Sequence, residues 1–316
     1  MTVATSRAGA AALVPRRRFR MGHQARIEAL TGYFCISPWL IGFLAFALWP
    51  LLQSIYLSFT NYDIFSPIKW VGLENWKRLL FVDDYTWHSL KVTAIYSVGA
   101  VSLGLVLGLA LALLLNQKVR GLSIYRTIFY SPAVVSGVAV AMMWLLIFNP
   151  DMGVVNSVLR LVGIEGPGWI FDKNWALSTF IIMSIWTVGG GMVLYLAALQ
   201  GVPTELYEAA MIDGGGPWAK LWHITLPMIS PVIFFNLVMG IIVSFQVFTS
   251  SYIMTQGGPE RATYFFVLLI YHNAFENLFM GYASAAAWLL AIIILGLTLL
   301  TFASSNRLVY YEGRTR

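Results

Sequence analysis

The charged positions of this chain fall in clusters, and between them lie six intervals free of Asp, Glu, Lys and Arg. They are bounded by Glu28 and Asp63, Lys91 and Lys118, Arg126 and Asp151, Lys173 and Glu205, Lys220 and Glu260, and Glu276 and Arg307. Each can hold the ~20 apolar residues that cross a bilayer as a helix, and no other interval can. One ion at the centre of such a helix costs roughly 2.5–3.5 kcal/mol on insertion scales, so the pattern predicts six transmembrane helices and an all-α integral membrane fold.

The boundaries follow. Residues 1–29 read as a basic cytoplasmic tail, with Arg16, Arg17, Arg18 and Arg20 ahead of the first span, and 30–59 as the first transmembrane helix. That apolar stretch is far longer than a signal peptide's hydrophobic region and is expected to remain as a helix. Residues 60–89 form an aromatic external loop with a short interfacial helix from about Leu73 to Leu80, and 90–305 a five-helix core. Residues 306–316 are a cytoplasmic C-terminus.

Local signals modify individual spans. Gly104 and Gly108 give the second span a small-residue face that lets helices approach. Pro132 is expected to kink or begin the third. Gly189, Gly190 and Gly191 lie mid-way along the fourth interval, where they serve either local unwinding or close packing. In the fifth, Gln246, Thr249 and Ser250 fall on one helical face.

The longest polar interruption between spans runs from Pro203 to Pro231, PTELYEAAMIDGGGPWAKLWHITLPMISP. Thr204 is placed to cap a helix carrying Glu205 and Glu208 in its first turns, where the helix dipole favours acids. Gly214, Gly215 and Gly216 end it. Pro217 suits the first position of a second short helix with Trp218, Leu221, Trp222 and Thr225, which Pro227 is expected to stop. The loop at 201–227 thus reads as a helix-turn-helix outside the bilayer, between the fourth and fifth spans.

Composition agrees, with 59% hydrophobic and only 11% charged residues. With the N-terminus inside, the inner segments hold 13 of the 20 Lys and Arg but 5 of the 14 acids, so both termini and the 201–227 loop are placed in the cytoplasm. The net charge of +6 is concentrated beside anionic lipid and calls for no nucleic acid. Cys35 is the only cysteine and sits in the first span, which leaves neither a disulfide framework nor a cysteine metal site. Every Lys follows a residue other than Gly, so no phosphate-binding Walker loop is present.

The stretch EAAMIDGGGPWAKLWHITLPMISP resembles the EAA-loop signature of membrane subunits of bacterial binding-protein-dependent ABC importers. Glu208, Ala209, Ala210, Asp213, Gly214, Trp218, Ile224, Leu226, Pro227 and Pro231 fall where that pattern expects them, and Gly215 stands where Ala is commoner. VGLENW at 71–76, MTQGGP at 254–259, YHNAF at 271–275 and GYASAAAW at 281–288 look like the subfamily for sugars and polyols of maltose, oligosaccharide and glycerol-3-phosphate type.

The resemblance implies a multi-pass permease of the bacterial inner membrane that pairs with a second permease subunit. It implies docking of Glu208, Ala209, Ala210, Asp213 and Gly214 to a cytoplasmic ATPase dimer holding Mg-ATP, and delivery of solute by an extracytoplasmic binding protein. No cofactor is expected in this chain. By the same analogy the pathway would be lined by Thr187, Gly190, Ser244, Gln246 and Thr249, uncharged groups suited to a sugar or polyol. Two alternatives compete: a stand-alone secondary transporter or channel, and a membrane-embedded enzyme. The first lacks intramembrane ionisable residues and the second lacks any grouping of His23, His88, His223 and His272.

Overall fold

A computed structural model describes residues 23–117 and 120–310. The basic run of the N-terminal tail, Lys118 and the last residues of the C-terminus lie outside the described residues. Among the described residues, four helices are long and apolar enough to cross a membrane: Arg26–Ser58, Asp84–Leu115, Pro217–Met254 and Met280–Ser305. Two bent pairs, Leu122–Val134 with Gly137–Ile147 and Ala176–Ile185 with Gly189–Gln200, bring the number to six if each is one span.

The chain divides into two compact units, 1–53 and 54–316. The first contains helix His23–Phe43, with Pro38 inside it, and a π-helical turn at Leu44–Leu48. Pro50 follows that turn by two residues. Proline has no N–H and its ring crowds the carbonyl four residues back, and the wider turn frees that carbonyl so the helix runs on. The second unit repeats the device. A π-helical turn at Leu221–Thr225 precedes Pro227, and the helix continues through Leu226–Ser244. The expected stop at Pro227 is therefore absent, and the second arm of the 201–227 loop is continuous with the fifth span.

Helix Asp84–Leu115 is the post of the second unit. Asp83 caps it, its carboxylate accepting the Tyr85 N–H at 2.9 Å, and it packs against both halves of the fourth span and against the fifth. Its buried face carries Thr86, Ser89, Thr93 and Ser97 at three-to-four-residue spacing. Thr93 donates to the Ser89 carbonyl at 2.8 Å and accepts from the Phe266 N–H at 3.0 Å. Thr93 and Ser97 thus bond across helices, where lipid gives apolar burial no advantage. Of the two glycines further along, Gly108 lies against the Tyr195 ring, whereas nothing stands within 4 Å of where a Gly104 side chain would begin. Packing accounts for the first only.

The third and fourth spans are broken, and the breaks meet. Helix Leu122–Tyr130 passes into a 3-10 turn at Ser131–Val134 that Pro132 opens, and the following arm turns through 99°. The fourth span unwinds at 186–188 and resumes at Gly189 with a 40° bend. A Cβ on Gly189 would sit 1.9 Å from the Phe129 carbonyl oxygen, and one on Gly190 would touch Ala133 at 3.7 Å. Both readings of the glycine triplet hold: the chain unwinds just before it, and Gly189 permits the close contact. Irregular backbone at membrane depth is thereby covered by protein.

The fifth span breaks at 245–248 before a short helix, Thr249–Met254, so Gln246, Thr249 and Ser250 do not share a continuous helical face. Helix Phe266–Tyr271 and a π-helical turn His272–Glu276 lie between the fifth and sixth spans. The sixth helix starts at Met280. Gly281 lets it approach Thr60, whose carbonyl oxygen lies 2.0 Å from where a Cβ would be. At the chain's end Tyr310 N–H donates to Ser230 Oγ at 2.9 Å. The interfacial helix expected at 73–80 is present as Glu74–Lys77 with a π-helical extension Arg78–Val82.

Replacing Gly189 by Ala should destabilise the detergent-solubilised protein by about 1–3 kcal/mol or more through overpacking. Gly104→Ala, which meets nothing, should stay within about 0.5 kcal/mol of the parent. Thermal melts of both variants check the contrast; equal losses would remove the contact of the two breaks as its cause.

Candidate coupling loop and central cavity

The polar loop is built by its glycines and prolines. Its first helix is Thr204–Ile212, and Thr204 is already the first helical residue, its side chain making no cap bond; extended Pro203 precedes the helix in place of the expected Thr204 cap. At the other end Gly214 adopts a left-handed φ of 77°. Its N–H donates to the Met211 carbonyl at 3.1 Å while Gly215 N–H donates to the Ala210 carbonyl at 2.7 Å. This pair of bonds is a Schellman closure, which favours glycine at the left-handed position. A Cβ on Gly215 would stand 2.7 Å from the Ala210 oxygen, which explains glycine where related loops carry Ala.

Glu208, Ala209, Asp213 and Gly214 are exposed and Ala210 is half-buried, so the five sequence-predicted coupling residues share one accessible turn and its end. No ion pair engages Glu208 among the described residues. Met211, Ile212, Trp218 and Trp222 add exposed apolar surface around it. The loop is tied back to the bundle. Thr225, buried, donates to the Lys220 carbonyl at 3.2 Å, and its oxygen lies 3.0 Å from the Tyr207 hydroxyl, which therefore donates to it. This bond joins helix Thr204–Ile212 to the start of the fifth span.

Above the loop, the second, fourth and fifth spans enclose a cavity of about 230 Å³. Ser184, Thr187 and Tyr195 line it from the fourth span, Asn236 and Ser244 from the fifth, and Tyr96 and Gly104 from the second. None of its lining residues is charged. Ser244 is buried and its Oγ lies 2.6 Å from Ser97 Oγ. Asn236 Nδ2 donates to the Val232 carbonyl at 3.1 Å.

The structure thus brings Thr187 and Ser244 together and leaves the other predicted pathway residues apart. Gly190 packs on Ala133, Thr249 lies beside Gly137, and Gln246 donates to the Ile242 carbonyl at 3.0 Å. Gln246 faces a separate apolar groove between the fifth and sixth spans, with Ile270 and Leu290. Asn236 stands out in the sequence as an uncharged polar residue of the fifth span, whereas Ser97, Ser184 and Tyr195 went unnoticed, although the Thr86, Ser89, Thr93, Ser97 spacing carried a signal for the first.

Beyond the cavity Lys173 Nζ pairs with Glu260 Oε2 at 2.9 Å, joining the segment before the fourth span to the loop after the fifth. The hydrogen bond and charge of Glu260 hold the Lys173 ammonium above its ordinary pKa. Both side chains are more than half exposed, so the pair adds little stability. Among the described residues no three His, Cys, Asp or Glu gather to hold a metal ion.

Residues 104–309 match the family model described as binding-protein-dependent transport system inner membrane component. The chain belongs to this family. The permease is 43% identical over 293 residues to the probable ABC transporter permease protein YesP of Bacillus subtilis (strain 168), covering 92% of this chain and 94% of the relative. It is 33% identical over 285 residues to the sn-glycerol-3-phosphate transport system permease protein UgpA of Brucella abortus biovar 1 (strain 9-941), covering 89% and 96%. Among solved structures it resembles a chain in the crystal structure of a bacterial alginate ABC transporter in complex with alginate pentasaccharide-bound periplasmic protein. The TM-score is 0.79 and the identity 25%, with 90% of this chain and 96% of that one covered. The permease is a transport component and not an enzyme, and dependence on a binding protein sets aside the stand-alone carrier.

Replacing Tyr207 by Phe should loosen helix Thr204–Ile212 by about 0.5–1.5 kcal/mol, the usual worth of one hydrogen bond. Hydrogen exchange should accelerate in 204–212 and not in the second span. Unchanged exchange would remove the Tyr207–Thr225 bond as the tether.

Proposed function

We propose that the permease forms, with a second permease subunit, the inner-membrane pathway of an ATP-driven importer for a sugar or related polyol. Both termini and the 203–227 loop face the cytoplasm, where Glu208, Ala209, Ala210, Asp213 and Gly214 dock on an ATPase dimer that binds Mg-ATP. An extracytoplasmic solute-binding protein loads the other side. The observation that carries the substrate class is a mainly apolar cavity into which hydroxyl, phenol and amide groups but no charge project, in a chain whose relatives include a glycerol-3-phosphate permease and an alginate importer. A hydroxylated solute exchanges hydrogen bonds with such groups, whereas an ion would call for a charged partner. At about 230 Å³ the cavity is smaller than the ~300–1,000 Å³ usual for ligand pockets, which suits a pathway completed by a second subunit.

Coupling follows from continuity of backbone. When the ATPases close on ATP, displacement of helix Thr204–Ile212 passes through Tyr207 to Thr225 and along helix Leu226–Ser244, which carries Asn236 and Ser244. The breaks at 186–188 and 245–248 lie beside the cavity and act as hinges between the two halves of each span. Thr187 and Ser244 are the predicted pathway residues with the strongest support, joined by Ser184, Tyr195 and Asn236.

Replacing Glu208 by Lys, or Gly214 by Val, should abolish ATP-driven uptake while the permease still reaches the membrane. Ser244→Leu should raise the KM for solute or alter solute preference and leave ATPase assembly intact. Uptake assays with co-purification of the ATPase check both. Normal uptake in the Glu208 and Gly214 variants would sink the coupling role, and unchanged kinetics in Ser244→Leu would take Ser244 off the pathway.

A further inference from the structure

Helix Val154–Leu161 follows the third span after a short turn and presents an apolar face that none of the described residues covers. Val154, Val158 and Leu161 are 62%, 56% and 86% exposed at helical spacing, and exposed Met152 and Ile164 flank them. The opposite face is pinned. Asn156, 3% exposed, donates to the Pro150 and Pro167 carbonyls and accepts the Trp169 Nε1–H at 2.6 Å.

Ser157 Oγ, beside this face, donates to the Gly153 carbonyl at 2.9 Å. The Arg160 guanidinium, nearer the pinned face, donates to the Pro150 and Asp151 carbonyls at 3.0 and 3.1 Å. The stripe of Val154, Val158 and Leu161 itself carries no polar side chain, which suits contact with hydrocarbon.

Two further observations set the depth. The preceding arm, Gly137–Ile147, carries its own exposed apolar stripe of Val138, Met142 and Leu146, which leads through the turn into this face. Trp169, bonded to Asn156, and half-exposed Trp175 belong to the same segment, and tryptophan concentrates at the membrane–water boundary.

We propose that helix Val154–Leu161 lies in the outer headgroup layer of the bilayer, with Val154, Val158 and Leu161 turned into the acyl chains. The choice of the outer leaflet rests on the orientation proposed above. Such a helix inserts its apolar face about 5–10 Å below the headgroups. It holds the end of the third span at the interface while the hinged fourth and fifth spans move.

The test uses the complete importer in nanodiscs of phosphatidylethanolamine and phosphatidylglycerol, with Cys35→Ser removing the only native thiol. An environment-sensitive NBD dye is placed at Val158→Cys and, separately, at Leu161→Cys, a position exposed enough to tolerate it. Glu165→Cys is the water-facing control.

The expected result is blue-shifted emission at 158 and 161, quenched several-fold more by doxyl-labelled lipid than by aqueous iodide, with the reverse at 165. Iodide quenching equal to the control would overturn the proposal. So would emission that shifts only when purified solute-binding protein is added, which would make this face a protein dock. Labelling of Glu165→Cys in intact cells by an impermeant maleimide separates the two questions: reaction supports the outer leaflet, and reaction only in opened cells overturns the orientation while lipid quenching still reports insertion.

Discussion

Backbone polar groups have no water to bond inside a bilayer, and this constraint governs how the permease can be both broken and stable. Three spans depart from a regular helix where the cavity lies or where the third and fourth spans touch. The end of helix Leu122–Tyr130 packs against Gly189, and Ala133 of the 3-10 turn against Gly190. The unbroken second span supplies the surface on which these pieces assemble, and its hydroxyl stripe contributes cross-helix bonds to Phe266 and Ser244.

Pro50 and Pro227 are accommodated by widening the helix ahead of them, whereas Pro38 and Pro231 lie inside regular α-helix. The π-helical turns at Leu44–Leu48 and Leu221–Thr225 each precede a proline by two residues. At Pro227 the result is a helix that runs without a stop from the polar loop to Asn236 in the cavity wall, and in the proposed coupling this helix is the lever. The breaks at 186–188 and 245–248 lie outside it.

The polar groups of the cavity are few and mostly engaged with the chain itself. Ser244 is bonded to Ser97 and Asn236 to the Val232 carbonyl. In the proposed pathway a solute would compete with these existing bonds.

The sequence alone settled whatever depends on local energy. Charge-free intervals marked the apolar spans, because burying an ion is costly wherever the helix goes. Gly214 marked the end of the loop helix, because its left-handed turn is a property of one residue and its neighbours. The glycine triplet announced an irregularity. Tertiary structure decided what depends on neighbours: that Gly189 faces the Phe129 carbonyl, that Gln246 leaves the cavity once the helix breaks at 245–248, and that Tyr195 and Asn236 enter it. A period of 3.6 residues predicts a shared face only while the helix is unbroken, and whether a break is tolerated is determined by the element that packs over it.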